Sequence, residues 1–162
     1  MATIPDRIAL WKPQAAAAGS IFGVDPLDIL ALVARESNGD PNAQSPDGGL
    51  GLMQVTRKYH PTFCDALGPD GRPLWRHPGW NIMYGTSLFR FNLDLFDGMD
   101  FDARLPAFAA FNASVRRVRG ALRELSRPTT EEQVTQVLDP LTTGGNYVSD
   151  VLKRRASYVL LP

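Results

Sequence analysis

Cysteine is almost absent: Cys64 is the only one in 162 residues. An intramolecular disulfide is therefore excluded, and the fold must stand on packing alone. Charge of one sign is not in excess either, with 17 Lys and Arg against 17 Asp and Glu. That balance gives no long-range pull toward nucleic acid or an anionic membrane. Long apolar runs are missing, so no stretch is suited to spanning a bilayer. Met1 to Ser20 holds no basic cluster followed by an apolar run. It reads as the start of a chain made in the cytoplasm without a classical signal peptide. There is no internal repeat and no low-complexity tract.

The residues present suffice for a real core. Apolar residues make up 44% of the chain, and the length suits one compact domain over residues 1–162. Arginine is unevenly spread: Arg116, Arg117, Arg119, Arg123 and Arg127 form one basic segment, and Lys153, Arg154 and Arg155 another. A solvated helix face is the stronger reading of both, and attraction of an anionic polymer the other.

Helical signals dominate. Pro13 suits the first turn of a helix that ends near Gly19 to Gly23. Asp25 as cap, Pro26 at the first position and Asp28 in the first turn open the clearest helix. In it, Leu32, Val33 and Glu36 follow Ile29 at offsets of three, four and seven, which is one helical face. Ser37-Asn38-Gly39-Asp40-Pro41 ends it. A short helix is expected from Leu52 to about Tyr59, and an irregular excursion with at most a small hairpin at Gly68 to Gly79. Asn81 is read as the cap of a longer helix in which Ile82, Phe89, Leu93 and Phe96 share a side. Shorter helices follow at Pro106 to Asn112, after Ser114 through Val118, Leu122 and Leu125, and after a Thr130/Gln133 capping box. A last helix begins near Asn146, supported by Val148, Val151, Leu152, Arg155 and Val159. The expectation is an all-α fold.

Chemistry concentrates around Glu36. It falls on the apolar face of its helix, in the last turn before a break. Burial and the negative end of the helix dipole both disfavour its charged form. A carboxyl that keeps its proton near neutral pH can serve as a general acid. A helix-end glutamate alone would more often turn to solvent. The weight comes from the residues downstream: Ser45, Asp47, Gly48, Gly49, then Gly51-Leu52-Met53-Gln54. Glycines let a backbone approach a flat ligand closely. Gln54 offers a donor and an acceptor to hydroxyl or acetamido groups.

Glu36-Ser37 with Gly51-Leu52-Met53-Gln54 resembles the signature of goose-type lysozymes and the related soluble lytic transglycosylases, glycoside hydrolase family 23. Further blocks are similar: Gly23-Val24-Asp25-Pro26, Gln54 through Pro61, Asn81-Ile82 with Gly85-Thr86, Ala110-Phe111-Asn112, and Thr143 through Tyr147 with Asp150-Val151. Together they run from Gly23 to Tyr158, nearly the whole chain. The resemblance implies a lysozyme-like helical domain that cuts the β-1,4 bond between N-acetylmuramic acid and N-acetylglucosamine in peptidoglycan. It implies Glu36 as catalytic acid, with Ser45 and Gln54 lining the cleft. His60 matches a sugar-contacting histidine, and Phe111 with Asn112 a Tyr-Asn pair. Tyr147 matches a tyrosine that approaches the acid, and Asp47 lies near a family aspartate with the loop alignment left open. No cofactor or metal is implied. The partner is the wall glycan, with no nucleic acid, no stable membrane insertion and a monomeric state. The setting resembles that of a phage endolysin acting on the bacterial wall.

The departures bear on mechanism. Thr56 stands where goose-type enzymes carry an aspartate, Phe111 replaces a tyrosine, Ser114 replaces a glycine, and Thr143-Gly144 replaces Glu-Thr. With one carboxylate placed, two outcomes stay open. Glu36 can assist attack by the sugar's own 6-hydroxyl, giving a 1,6-anhydro ring. Alternatively, water held by Asp47, Ser45 or Thr56 attacks with inversion. The competing readings are a catalytically weak glycan-binding domain and a zinc site at His60, Cys64 and His77, which lacks a familiar ligand pattern. Cys64 is expected in the core and His77 on a surface loop. Trp75 and Trp80 are expected to pack beneath the Gly68–Gly79 loop rather than stack on sugars.

Overall fold

The computed structural model describes residues 5–125 and 129–158. Arg127 and Val159 lie outside the described residues. The chain divides into two compact units, Met1–Ser87 with Arg154–Pro162, and Leu88–Lys153.

The first unit opens with helix α1 (Asp6–Ala9), which the sequence reading missed, and α2 (Lys12–Phe22). Helix α2 carries Pro13 in its first turn and stops at Gly23, whose φ of 64° is left-handed. Helix α3 (Pro26–Ser37) forms as its start signals predict. The Asp25 carboxylate accepts from Leu27 N at 2.8 Å, and Pro26 needs no partner for a missing N–H. Every residue from Asp28 to Ala34 is buried, so this helix is core on all sides. Asn38 ends it in the left-handed region at φ 54°. Arg155 comes back to its start, donating to Asp28 Oδ1 and Asp25 Oδ2 at 2.6 Å each.

A two-stranded antiparallel hairpin follows. It pairs β1 (Gly49–Leu50) with β2 (Val55–Thr56), in register Gly49 to Thr56 and Leu50 to Val55. This corrects the expected helix from Leu52 to Tyr59. Gly51 (φ 74°) and Gln54 (φ 48°) are both left-handed, which breaks any helix and instead closes a tight turn. The first true helix here is α4 (Pro61–Asp65). Gly68 to Gly79 is the irregular excursion the sequence predicts. That stretch holds a single bridge, Leu67 to Pro73, and one 3-10 turn, Leu74–Arg76. Trp75 packs there as expected, at 6% exposure, under the Arg76 guanidinium. Trp80 does not: it is 55% exposed. His77 is half-buried rather than a surface residue, its ring lying under Gly68. Cys64 is buried.

Helix α5 (Pro78–Leu95) spans the boundary between the units. Asn81 lies inside it, not at its cap. The second unit then holds α6 (Arg104–Asn112), α7 (Val115–Arg123), α8 (Glu131–Leu138) and a 3-10 turn, Asp139–Leu141. Helix α9 (Tyr147–Tyr158) begins in this unit. Ser114 caps α7, and Thr130 with Gln133 forms the expected capping box on α8. Asp139 stands at the start of α9, its Oδ1 accepting from Val148 N at 2.7 Å. The core of this unit centres on Phe89 stacked against Phe108, with centroids 4.9 Å apart, among Phe96, Leu105, Val118, Val134 and Leu138. The fold is predominantly helical, and the two-residue strands are a local device rather than a sheet layer.

Candidate active site

Glu36 occupies the last turn of α3, one residue before the buried Ser37. It is half-buried, where its helix emerges from the core. Ser37 fixes this end: its Oγ donates to Val33 O at 3.1 Å and accepts from Gly39 N at 3.2 Å. A hydroxyl that closes the helix this way holds the backbone of Glu36 in one geometry.

The hairpin loop is built from inside. Ser45 N donates to Gly49 O at 3.0 Å, and Gly49 N donates to Ser45 Oγ at 2.9 Å. Gly51 N donates to Ala43 O at 2.8 Å. Gln54 turns its amide inward, Nε2 donating to Gly51 O at 2.9 Å and to Ala43 O at 3.3 Å. A Cβ on Gly49 would fall 2.6 Å from Gln54 Oε1 and 2.7 Å from Ser45 Oγ, so glycine is required for this closeness. Ser45 and Gln54 thus shape the loop through side-chain oxygen and amide. Asp47 stands exposed at its tip.

One side chain anchors this loop to α5. Asn81, fully buried, accepts from Met53 N at 2.8 Å and donates to Leu50 O at 3.0 Å and Trp75 O at 3.2 Å. Three main-chain groups are satisfied by one amide, which suits the demand that buried polar groups be paired. One turn later, Gly85 lets Met53 lie flat on the helix, since a Cβ there would meet the Met53 side chain at 2.5 Å. The sequence reading took Asn81 for a cap and gave Gly85 no role. Their i, i+4 spacing puts an amide and a missing side chain on one face, and that is the signal that could have found them.

His60 stands just before α4, with Nδ1 3.2 Å from the Tyr84 hydroxyl, and Phe63 stacks on the same Tyr84 ring at 4.1 Å. Burial pushes the His60 pKa below its ordinary value, so the ring is neutral at pH 7. Tyr84 is a positioning partner that sequence reasoning did not single out.

The remaining expected residues belong to the second unit. Phe111 meets Phe89 edge-on at 6.3 Å. Asn112 ends α6 and accepts from Thr143 N at 2.8 Å, tying down the turn ahead of α9. Tyr147, the first residue of α9, is 1% exposed.

A family model described as the Transglycosylase SLT domain matches residues 14–134. The chain belongs to that family. The match takes in Glu36, the hairpin loop and the Asn81 anchor. Solved structures share the fold of this SLT domain. The 70 kDa soluble lytic transglycosylase of Escherichia coli is 23% identical with a TM-score of 0.76, over 91% of this chain and 24% of that one. A complex of the 70 kDa enzyme with bulgecin A gives 22% identity and 0.76, over 92% and 24%. An inactive glutamate-to-glutamine mutant of the lytic transglycosylase Slt of Pseudomonas aeruginosa gives 22% and 0.73, over 88% and 23%. The chain therefore spans about a quarter of the length of these proteins.

Proposed function

We propose that this SLT domain cleaves the β-1,4 bond between N-acetylmuramic acid and N-acetylglucosamine in bacterial peptidoglycan, as a lytic transglycosylase with Glu36 as its acid. The observation that carries the reading is Glu36 itself: a half-buried glutamate in the last turn of a helix whose middle is wholly buried, inside the stretch matched by the SLT family. That a glutamate-to-glutamine change leaves the Pseudomonas aeruginosa protein inactive supports a glutamic acid in this role.

The chemistry needs one carboxyl. Glu36 gives its proton to the bridging oxygen as the bond to the muramic C1 breaks. The resulting carboxylate then takes the proton of the same sugar's 6-hydroxyl as that oxygen attacks C1. The acid is restored, the departing strand carries a hydroxyl, and the muramic end closes into a 1,6-anhydro ring. Thr56, in place of a second carboxylate, suits this route better than activation of water. Ser45, Asp47, Gln54 and His60 are proposed as substrate-binding residues, and Phe111 and Asn112 keep that role from the resemblance, whereas Tyr147, at 1% exposure, offers no surface to a sugar. The reading places the action at the bacterial wall, by a monomer that requires no cofactor.

Two measurements test it. Glu36→Gln should lower the rate of clearing of purified sacculi by about 10²–10⁴-fold, the usual contribution of a general acid, with no change in unfolding temperature. Clearing at the parent rate would remove Glu36 from the mechanism. Mass analysis of the fragments should show ends lighter by roughly 18 Da, one water, than hydrolysed ends. Hydrolysed ends would replace the anhydro route with inverting hydrolysis, and binding of sacculi without any cut would leave a glycan-binding domain.

A further inference from the structure

Helix α7 carries four arginines, Arg116, Arg117, Arg119 and Arg123, and no acid within Val115–Arg123. Val118 and Leu122 are buried beneath it, while all four arginines are exposed. Several arginines elsewhere pair with carboxylates: Arg57 with Asp65, Arg72 with Asp70, Arg90 with Asp94 and Arg104 with Asp102. Those of α7 make no ion pair among the described residues. In a chain with equal numbers of acidic and basic residues, that leaves a concentrated excess of positive charge on one element.

The arrangement has a shape as well as a sign. Arg119 and Arg123 follow Arg116 at offsets of three and seven, so these three form one stripe, about 10 Å long at helical rise. Arg119 is held in place, donating to Leu95 O at 3.4 Å with its guanidinium 5.9 Å over the Phe96 ring. Arg119 and Arg123 flank a depression of about 280 Å³ whose other lining residues are Met99 and Leu122. Two guanidiniums above an apolar floor suit a ligand that is anionic at one end and aliphatic beside it. A phosphodiester chain would satisfy the charges but gain nothing from Met99 and Leu122. A peptide with a carboxylate next to small methyl-bearing side chains satisfies both.

We infer that the arginine face of α7 is a docking site for the carboxylate-bearing peptide stems of peptidoglycan. The inference rests on the proposed wall activity for the choice of peptide, but its test does not need cleavage. The probe is a free stem tetrapeptide ending in D-alanine, titrated into the full chain. Binding should weaken as salt rises from about 0.05 to 0.3 M, as expected of screened charges. In Arg119→Gln/Arg123→Gln it should weaken by about five- to tenfold, the sum of two exposed charge contacts. Arg123→Gln alone, which leaves the Arg119 anchor intact, should lose about threefold on the same grounds. On peptide-free glycan strands the double variant should cut at the parent rate, while on peptide-bearing sacculi it should cut more slowly. Equal peptide binding by parent and variants would overturn the inference. So would arginine-dependent binding to anionic lipid vesicles with none to the peptide, which would make the face a membrane contact. Peptide binding with no glycan cleavage by the parent would keep this site and sink the catalytic reading instead.

Discussion

Gly51 shows how narrowly single residues are constrained around the loop. Its φ is 74°, and an added Cβ would lie 2.4 Å from Asn81 Nδ2 and 2.8 Å from Trp75 O. Gly51→Ala should therefore cost about 2–4 kcal/mol in denaturant unfolding, combining left-handed strain with overpacking. Loss of wall-clearing activity should accompany it, because the Asn81 anchor has to yield. His60 supplies a pH signature. Its folded-state pKa is lowered by burial, below the ordinary 6.5, so the unfolded chain takes up the proton first as pH falls. Its contribution to stability is thus whole above pH 6.5, declines as pH falls toward the folded pKa, and levels off beneath it. An NMR titration should place the midpoint below 6.5, and His60→Phe should flatten that part of the stability profile. At this scale the sequence was informative where chemistry is local. Glu36, its apolar neighbours and the stop after Ser37 are all adjacent in the chain. Asn81 was misread because its partners lie 28 and 31 residues away, at Met53 and Leu50.

Among the elements, α3 was the most legible, since its cap, proline and break sit within the helix and its flanks. The caps of α7 and α8 were legible for the same reason. The hairpin was not. Strands of two residues are too short to show alternation, and Leu52-Met53 reads equally well as helix or turn. The turn is dictated by two left-handed residues, one of them Gln54, for which local sequence gives no warning. What α3 owes to distant sequence is its charge pairing. Asp28 is 3% exposed, and Arg155 donates to it at 2.6 Å from 127 residues away. Arg155→Met removes that cation from beside a buried carboxylate. The expected loss is about 3 kcal/mol in chemical denaturation, well above that of a surface pair. A loss below about 1 kcal/mol would show that the pair behaves as an exposed one.

For the molecule as a whole, neutrality on paper hides a division of labour among charges. Exposed pairs such as Arg57–Asp65 and Arg90–Asp94 are local and weakly stabilising. Salt should therefore leave the unfolding temperature within about 3 °C between 0.05 and 0.5 M. Over the same range, cosedimentation of the Glu36→Gln variant with sacculi should fall severalfold if α7 contributes to attachment. Net charge could not reveal this in advance, because a sum carries no information about which arginines already have partners. The basic segment was visible in the sequence; that its four arginines on α7 make no ion pair among the described residues was not.

The manner in which Asn81 grips the loop has a practical corollary. It touches backbone atoms of Leu50 and Met53, not their variable groups. The outward-facing positions, Pro46 and Asp47 among them, can then be exchanged without loosening the clasp. A library randomised at that tip, with Asn81, Gly51 and Gly85 left untouched, would explore new wall chemistries on an unaltered frame.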